Sequence, residues 1–396
     1  MSSLTHPKNR KFGLDIIRAT AIISVFLCHV MEVFYAHTSG QTEIFFNCLT
    51  WAGGYYGVEI FFVLSGFLIG GIFIEKVVEP LRQNNAQPLK PLLLDFWIRR
   101  WIRTLPSYYL FIFINILLLS ISGAALNSSI ITRFLFFLQG FSHLNTSFFG
   151  VSWSLAVEEW FYLLLPIFFL LFNLFNKKNQ VRQNFVFSFL LLLIIPWILK
   201  LRLVFTIEDT NNLESILHYP TQYKLDAIFY GLLLSYIYTK GLWQSWIEKN
   251  AKLIFVMGLM GLFFSFVYAC FFVLKSNPNP LAVLFLGPLC SISIMACFPL
   301  LNAYIPKHKN KLLLNSITKI SLISYSLYLC HVPILQITKY FFVQWNFRQN
   351  IVNSSLLVIV NIILSYLVSL LLFKKFETPV MNWREVICER VNNKKK

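Results

Sequence analysis

Apolar runs of about 20 residues recur along this chain from one end to the other, and a run of that length is what one helix needs to cross a hydrocarbon core. Lipid offers no water to the backbone, so each run must satisfy its own amide groups, as only a helix or a closed barrel does. The runs are continuous rather than alternating, which selects helices. Only 13% of the residues are charged, where a soluble domain carries about 25%. The chain is therefore expected to be an all-α integral membrane protein. It reads as a polytopic bundle of about ten transmembrane helices, near 13–35, 52–75, 101–121, 149–175, 184–205, 221–239, 251–274, 279–301, 317–340 and 352–373. The apolar stretch 130–142 is too short to span and fits an interfacial or re-entrant piece.

The net charge is +17, yet the basic residues sit in short segments between apolar runs. That is the pattern of cytoplasmic loops, not of a nucleic-acid surface. Most of the 34 basic residues fall on one side if both termini are cytoplasmic. That side holds Lys8, Arg10 and Lys11; Lys76 to Arg103; Lys177, Lys178 and Arg182; Lys307, Lys309 and Lys311; and the tail with Arg390 and Lys394 to Lys396. The expected location is the inner (cytoplasmic) membrane, multi-pass and in contact with membrane lipid. Asp15 and Arg18 interrupt the first apolar run and no small-residue cleavage site follows, so it reads as an uncleaved span. The seven cysteines include no CxxC pair and lie mostly in apolar runs, which suggests neither zinc nor disulfides. Residues 1–375 read as one transmembrane domain and 376–396 as a short basic cytoplasmic tail, with no soluble domain.

Ionisable groups inside spans are costly and usually functional. The first span holds Asp15, Arg18 and His29 on one helical stripe, with Arg18 and His29 about 16 Å apart along the axis. The alternative for these residues is a snorkelling ion pair and a packing histidine. The second span carries Glu59, with Gly66 and Gly70 spaced for close helix packing. The third opens with Arg99, Arg100 and Arg103, either a phosphate site or a positive-inside anchor flanked by Trp97 and Trp101. The fourth begins SWSLAVEEW, where Ser152 or Ser154 can cap a helix and an acid in the first turn meets the positive end of the dipole. One of Glu158 and Glu159 can then face a cavity, since neighbours point about 100° apart. The sixth carries Lys224 and Asp226, and the last ends at Glu377. In the ninth, Ser324, Tyr328 and His331 share a stripe, and Pro333 loosens the helix beyond them. Transporters and membrane-embedded transferases both place such groups in spans. A scaffold would leave them without purpose.

Six of these segments, in order, resemble the acyltransferase-3 family of integral membrane acyltransferases. GLDIIRATAIISVFLCH supplies its Arg and His as Arg18 and His29, and GVEIFFVLSGFLI matches its second-span block. RRWIRTLPSYY carries its Arg-x-x-Arg as Arg100 and Arg103, and SWSLAVEEWFYLLLP is similar to its most distinctive string. ISYSLYLCHVPI and FETP complete the set. Lys224 stands where the family commonly has Arg, and Trp160 where it often has Gln.

The resemblance implies a transmembrane acyltransferase domain over 1–375. It implies an acyl-CoA donor, by default acetyl-CoA, on the cytoplasmic side. The acceptor would be a carbohydrate or glycolipid hydroxyl at the surface, such as O-antigen or exopolysaccharide. Arg99, Arg100 and Arg103 would hold the coenzyme A phosphates, and Arg18 would steer the donor. His29, oriented by Asp15 or another acid, would be the general base. Glu158 or Glu159 would face the acceptor and share the proton work, with His331 as a second proton carrier. Trp153, Ser154, Tyr162, Lys224, Asp226 and Tyr328 would line substrate. No metal is implied, because His29 and His331 lack clustered ligand partners in the sequence. The rival reading is a transporter of acyl groups or lipid-linked sugars.

Overall fold

The computed structural model describes residues 10–37, 39–83, 88–123, 127–141, 146–175, 180–275, 277–306, 310–345, 347 and 350–384. Lys8, Lys177, Lys178, Lys307, Lys309, Cys388, Arg390 and Lys394 to Lys396 lie outside them. Among the described residues the regular structure is helical throughout. In chain order the helices are α1 (Phe12–Met31), α2 (Gly40–Phe73), α3 (Leu89–Ile121), α4 (Ser128–Leu135), α5 (Trp153–Phe175) and α6 (Val181–Thr206). There follow α7 (Leu213–His218), α8 (Thr221–Lys240), α9 (Ala251–Phe272), α10 (Pro280–Asn302), α11 (Lys311–Gln344) and α12 (Ile351–Leu372).

Nine helices among the described residues are long and apolar enough to cross a membrane, as a multi-pass protein requires. The expected span at 221–239 forms as α8 but is not among the nine. Its charges Lys224 and Asp226 and its tyrosines are tolerated because α8 is buried in the bundle, packed against α2, α5 and α6, and shows lipid little surface. By contrast α9 turns Met257, Met260, Phe263 and Phe264 outward. The short apolar stretch near 130–142 forms α4 and a single 3₁₀ turn, Gln139–Phe141, too short to span.

The crossing of α2 and α8 is close because glycines meet there. A β-carbon on Gly66 would lie 2.1 Å from the Ile228 carbonyl oxygen, and one on Gly231 1.9 Å from that of Val63. Small residues let backbones approach where lipid supplies no hydrophobic drive for helix association. α3 starts a dozen residues before its expected span, so Arg100 and Arg103 lie well inside a helix rather than at its mouth. α11 runs unbroken through Pro333. After α12 a π-turn, Phe373–Glu377, continues the helix, and Glu377 is buried, accepting a 2.6 Å hydrogen bond from Ser326. The boundary expected at 375 thus falls inside the helical body.

Candidate active site

Two cavities occupy the bundle on either side of a thin wall. The first, of about 310 Å³, brings Arg18 of α1 together with Arg100 and Arg103 of α3 and Glu158 of α5. Three separate helices supply these charges, and an apolar face of α2 together with Ser324, Tyr325 and Tyr328 of α11 closes the walls. Ser65 donates to Glu158 Oε1 at 2.6 Å and Tyr162 donates to Oε2 at 3.0 Å, so both carboxylate oxygens are held. Arg18 reaches the Ser321 hydroxyl at 3.2 Å and Asp15 at 3.8 Å. Three guanidiniums facing one carboxylate leave the cavity positively charged, which suits a polyanion.

The second cavity, of about 480 Å³, is lined by His29, Glu32 and a set of aromatic rings that includes Trp51 and Trp153. His29 Nδ1 lies 3.3 Å from Glu32 Oε1, one helical turn on. His331 is fully buried behind it with the ring centroids 5.3 Å apart. Its Nδ1 lies 3.1 Å from the Leu327 carbonyl and its Nε2 has no protein partner. From α7, Glu214 and His218 also face this cavity. Burial pushes the Glu214 carboxyl above its ordinary range and the His218 imidazole well below its own, the latter aided by Lys224 and Lys200. A neutral His218 can then accept at Nδ1 from the Lys224 ammonium, 3.1 Å away.

The wall between the cavities is Tyr328 and Val58, the residues that line both. Tyr328 donates to the Val151 carbonyl at 2.7 Å, and its hydroxyl lies 2.6 Å from Ser154 Oγ. These bonds tie α11 to the start of α5. They place a hydroxyl pair between an arginine-lined chamber and a histidine-lined one.

Several expectations need correction. Asp15 cannot orient His29: it is held by Arg10 through two 2.6 Å contacts and by Ser321, at the other end of α1. The acid beside His29 is Glu32. Glu158 and Glu159 are not in the first turn of α5, and neither Ser152 nor Ser154 caps it. Ser152 donates instead to the Phe149 carbonyl at 2.8 Å. Glu158 shares its chamber with the arginines rather than with the histidine, and Glu159 lines neither chamber. Glu159 accepts from Thr104 at 2.6 Å and leaves Oε2 unpartnered. Arg99 pairs with Asp95 at 2.9 Å and does not line the arginine chamber.

Lys224 and Asp226 are both buried in ion pairs, Lys224 with Glu59 and Asp226 with Lys200 at 2.7 Å. Glu59 also accepts from Ser291 at 3.0 Å. The pairing accounts for Glu59, which has no exposed surface. Removing one member of a buried pair typically costs about 3–5 kcal/mol. Lys224→Met is therefore expected to lower the thermal midpoint of the purified protein sharply, by leaving Glu59 unpaired. Unchanged unfolding with a raised KM would instead restore the substrate role for Lys224.

Glu32, Glu214 and His218 were not foreseen. Glu32 had a signal, three residues after His29, at the start of the 3₁₀ segment Glu32–His37 that continues α1. The other two sit in a loop helix that carries no pattern of its own. Cys28 Sγ, a His29 nitrogen and a Glu32 oxygen lie within 4.8 Å of one another. This ligand-type grouping spans the end of α1 and the first residue after it, and was not visible from the spacing of the two histidines.

A family model described as an acyltransferase domain, the third of that name, matches residues 11–373. The chain is 24% identical over 387 residues to the O-acetyltransferase OatA of Staphylococcus aureus (strain NCTC 8325 / PS 47), covering 93% of this chain and 57% of that protein. It is 26% identical over 351 residues to the peptidoglycan O-acetyltransferase OatA of Listeria monocytogenes, covering 83% and 50%. With the putative peptidoglycan O-acetyltransferase YrhL of Bacillus subtilis it shares 34% over 196 residues, 46% of this chain and 27% of that one. The chain thus spans about half the length of the curated relatives it matches. No solved structure matches.

Proposed function

The chain belongs to the acyltransferase-3 family, and we propose that it is a membrane-embedded O-acetyltransferase that moves an acetyl group from cytoplasmic acetyl-CoA to a hydroxyl of a surface carbohydrate. The observation that carries this reading is the pair of chambers meeting at Tyr328, one cationic and one holding a histidine–carboxylate pair. Arg18, Arg100 and Arg103 would receive the nucleotide phosphates, Arg100 and Arg103 from one face of α3. The pantetheine arm would then lead the thioester toward Tyr328 and Ser154. In the other chamber His29 would take the acceptor's proton at Nε2 while Glu32 accepts from Nδ1–H and stabilises the imidazolium. The acceptor oxygen attacks the acetyl carbonyl carbon and the carbon–sulfur bond breaks. Coenzyme A leaves as a thiolate into the arginine chamber and takes a proton from water there with Glu158 in reach, and the His29 imidazolium returns the acceptor's proton to water in its own chamber, so the protons balance over one turnover. This reading puts both termini in the cytoplasm and the histidine chamber toward the outer face of an inner membrane.

Two relatives carry peptidoglycan in their names. Peptidoglycan glycan therefore joins O-antigen and exopolysaccharide among the acceptors to offer. The test is expression in a cell making one defined surface glycan, with ester-linked acetyl groups read by mass spectrometry. A new acetyl ester supports the reading. No ester on any of the three glycans, with acetyl-CoA left intact by the purified protein, defeats it and favours a carrier. Glu158→Gln keeps the shape of the side chain and loses its charge. It is expected to lower turnover on the order of 10²-fold, the low end for a proton-transfer group, with the acceptor KM unchanged. Wild-type turnover would remove Glu158 from the chemistry.

A further inference from the structure

The histidine chamber has walls that the reaction itself does not require. Trp51 stacks on Tyr55 with centroids 4.7 Å apart, and Tyr55 stacks on His218 at 4.4 Å. Trp153 meets His218 at 4.9 Å and Tyr219 at 5.0 Å, both edge-on. The rings form one continuous aromatic surface around the chamber, drawn from α2, α5 and the α7–α8 connection. Glu32 and Glu214 add a carboxyl group from each of two separate elements. Among the described residues that line the chamber there is no Lys or Arg. The nearest buried cations behind it, Lys224 and Lys200, are already neutralised by Glu59 and Asp226.

Aromatic faces carry negative quadrupole charge and attract the polarised C–H faces of a pyranose, while carboxyl groups take its hydroxyl and amino hydrogens. The chamber volume of about 480 Å³ accommodates more than one sugar ring. An anionic sugar would meet the Glu32 carboxylate, and beside Glu214 a wall whose burial already penalises negative charge, with no Lys or Arg lining the chamber to pair it, an arrangement that is strongly disfavoured.

We infer that this chamber is an acceptor subsite for neutral or amino sugars that excludes acidic ones, with Trp51, Trp153 and Tyr219 as the stacking platform, Tyr55 packed behind Trp51 as its support, and Glu32 and Glu214 as the charge filter. The inference rests on the acetyltransferase reading for the word acceptor, but its recognition chemistry can be read without turnover. Binding of three disaccharides to the purified full chain would be measured by titration calorimetry. The probes are N,N′-diacetylchitobiose, its de-N-acetylated diamine, and digalacturonate. The first two are expected to bind at least about tenfold more tightly than the third, because like-charge juxtaposition costs several kcal/mol. Trp51→Ala is expected to weaken the neutral sugar, and Glu214→Lys to close the gap for the uronate. Glu214→Gln narrows the gap without reversing the charge and serves if the lysine variant fails to fold. Equal or tighter binding of digalacturonate overturns the inference, as does no binding of any probe or an unaltered Trp51→Ala variant. Selective binding by a protein that transfers no acetyl group would uphold the subsite and discard the transferase reading. Acetyl transfer to digalacturonate at the neutral-sugar rate would do the reverse.

Discussion

His29→Ala is expected to lower acetyl transfer on the order of 10²–10⁴-fold, the usual contribution of a positioned general base, while acetyl-CoA still binds. The two effects separate because His29 lines only the second chamber, and the arginines line only the first. Arg18 and His29 share α1 but lie about 16 Å apart along its axis. His29 is half-buried, and its loss removes a 3.3 Å contact to Glu32 and a ring contact to His331 without opening the core. The measurement is acetyl ester formed per unit of protein, with acetyl-CoA affinity measured alongside. A residual rate above a tenth of wild type would move the base elsewhere, with the buried His331 the next residue to test. Glu32→Gln acts through His29, so it should lower kcat less than His29→Ala does and leave both KM values near wild type. A loss equal to that of His29→Ala would mark Glu32 as more than a positioning group.

The second large effect is on the donor side. Arg100→Ala and Arg103→Ala are each expected to raise the KM for acetyl-CoA. A hydrogen bond to a charged group contributes about 1.5–3 kcal/mol, or roughly 10- to 150-fold in affinity. Lysine at either position should recover part of the loss, since it keeps the charge but not the planar two-pronged contact. Added salt should mimic the effect at the exposed Arg103 more than at the half-buried Arg100. Arg99→Ala should leave the donor KM unchanged, because Arg99 pairs with Asp95 and does not line the chamber. Equal losses at all three arginines would mean that the segment acts as a general electrostatic anchor and not as a shaped phosphate site.

The lengths and apolarity of the runs were enough to predict the helices, because in lipid a spanning segment must satisfy its backbone internally, whatever its neighbours do. Even α8 was visible by position, although its charges make it the least apolar of the ten. The Gly66 and Gly70 spacing announced close packing in α2. Gly66 meets Gly231, 165 residues away, and Gly70 meets Leu232 and Ser235, and only the folded bundle pairs them. The groups expensive to bury were also legible one by one, and Arg18, His29, Arg100, Arg103, Glu158, Tyr328 and His331 all border or back a chamber.

What the chain alone left undecided was which charge answers which. Asp15 and His29 share a helical stripe yet lie at opposite ends of it, and the acid on His29 proved to be Glu32. The family resemblance put Lys224 and Asp226 of α8 against substrate. They became internal ion pairs once α2 and α6 brought Glu59 and Lys200 against them. Glu158 and Glu159, adjacent in the chain, were parted because neighbouring side chains leave a helix about 100° apart. One meets the arginines of α1 and α3, the other the Thr104 hydroxyl. Local sequence specifies a helix, its length and the face on which a polar group stands. The group opposite that face comes from whichever distant helix packs there, and only the assembled bundle decides it.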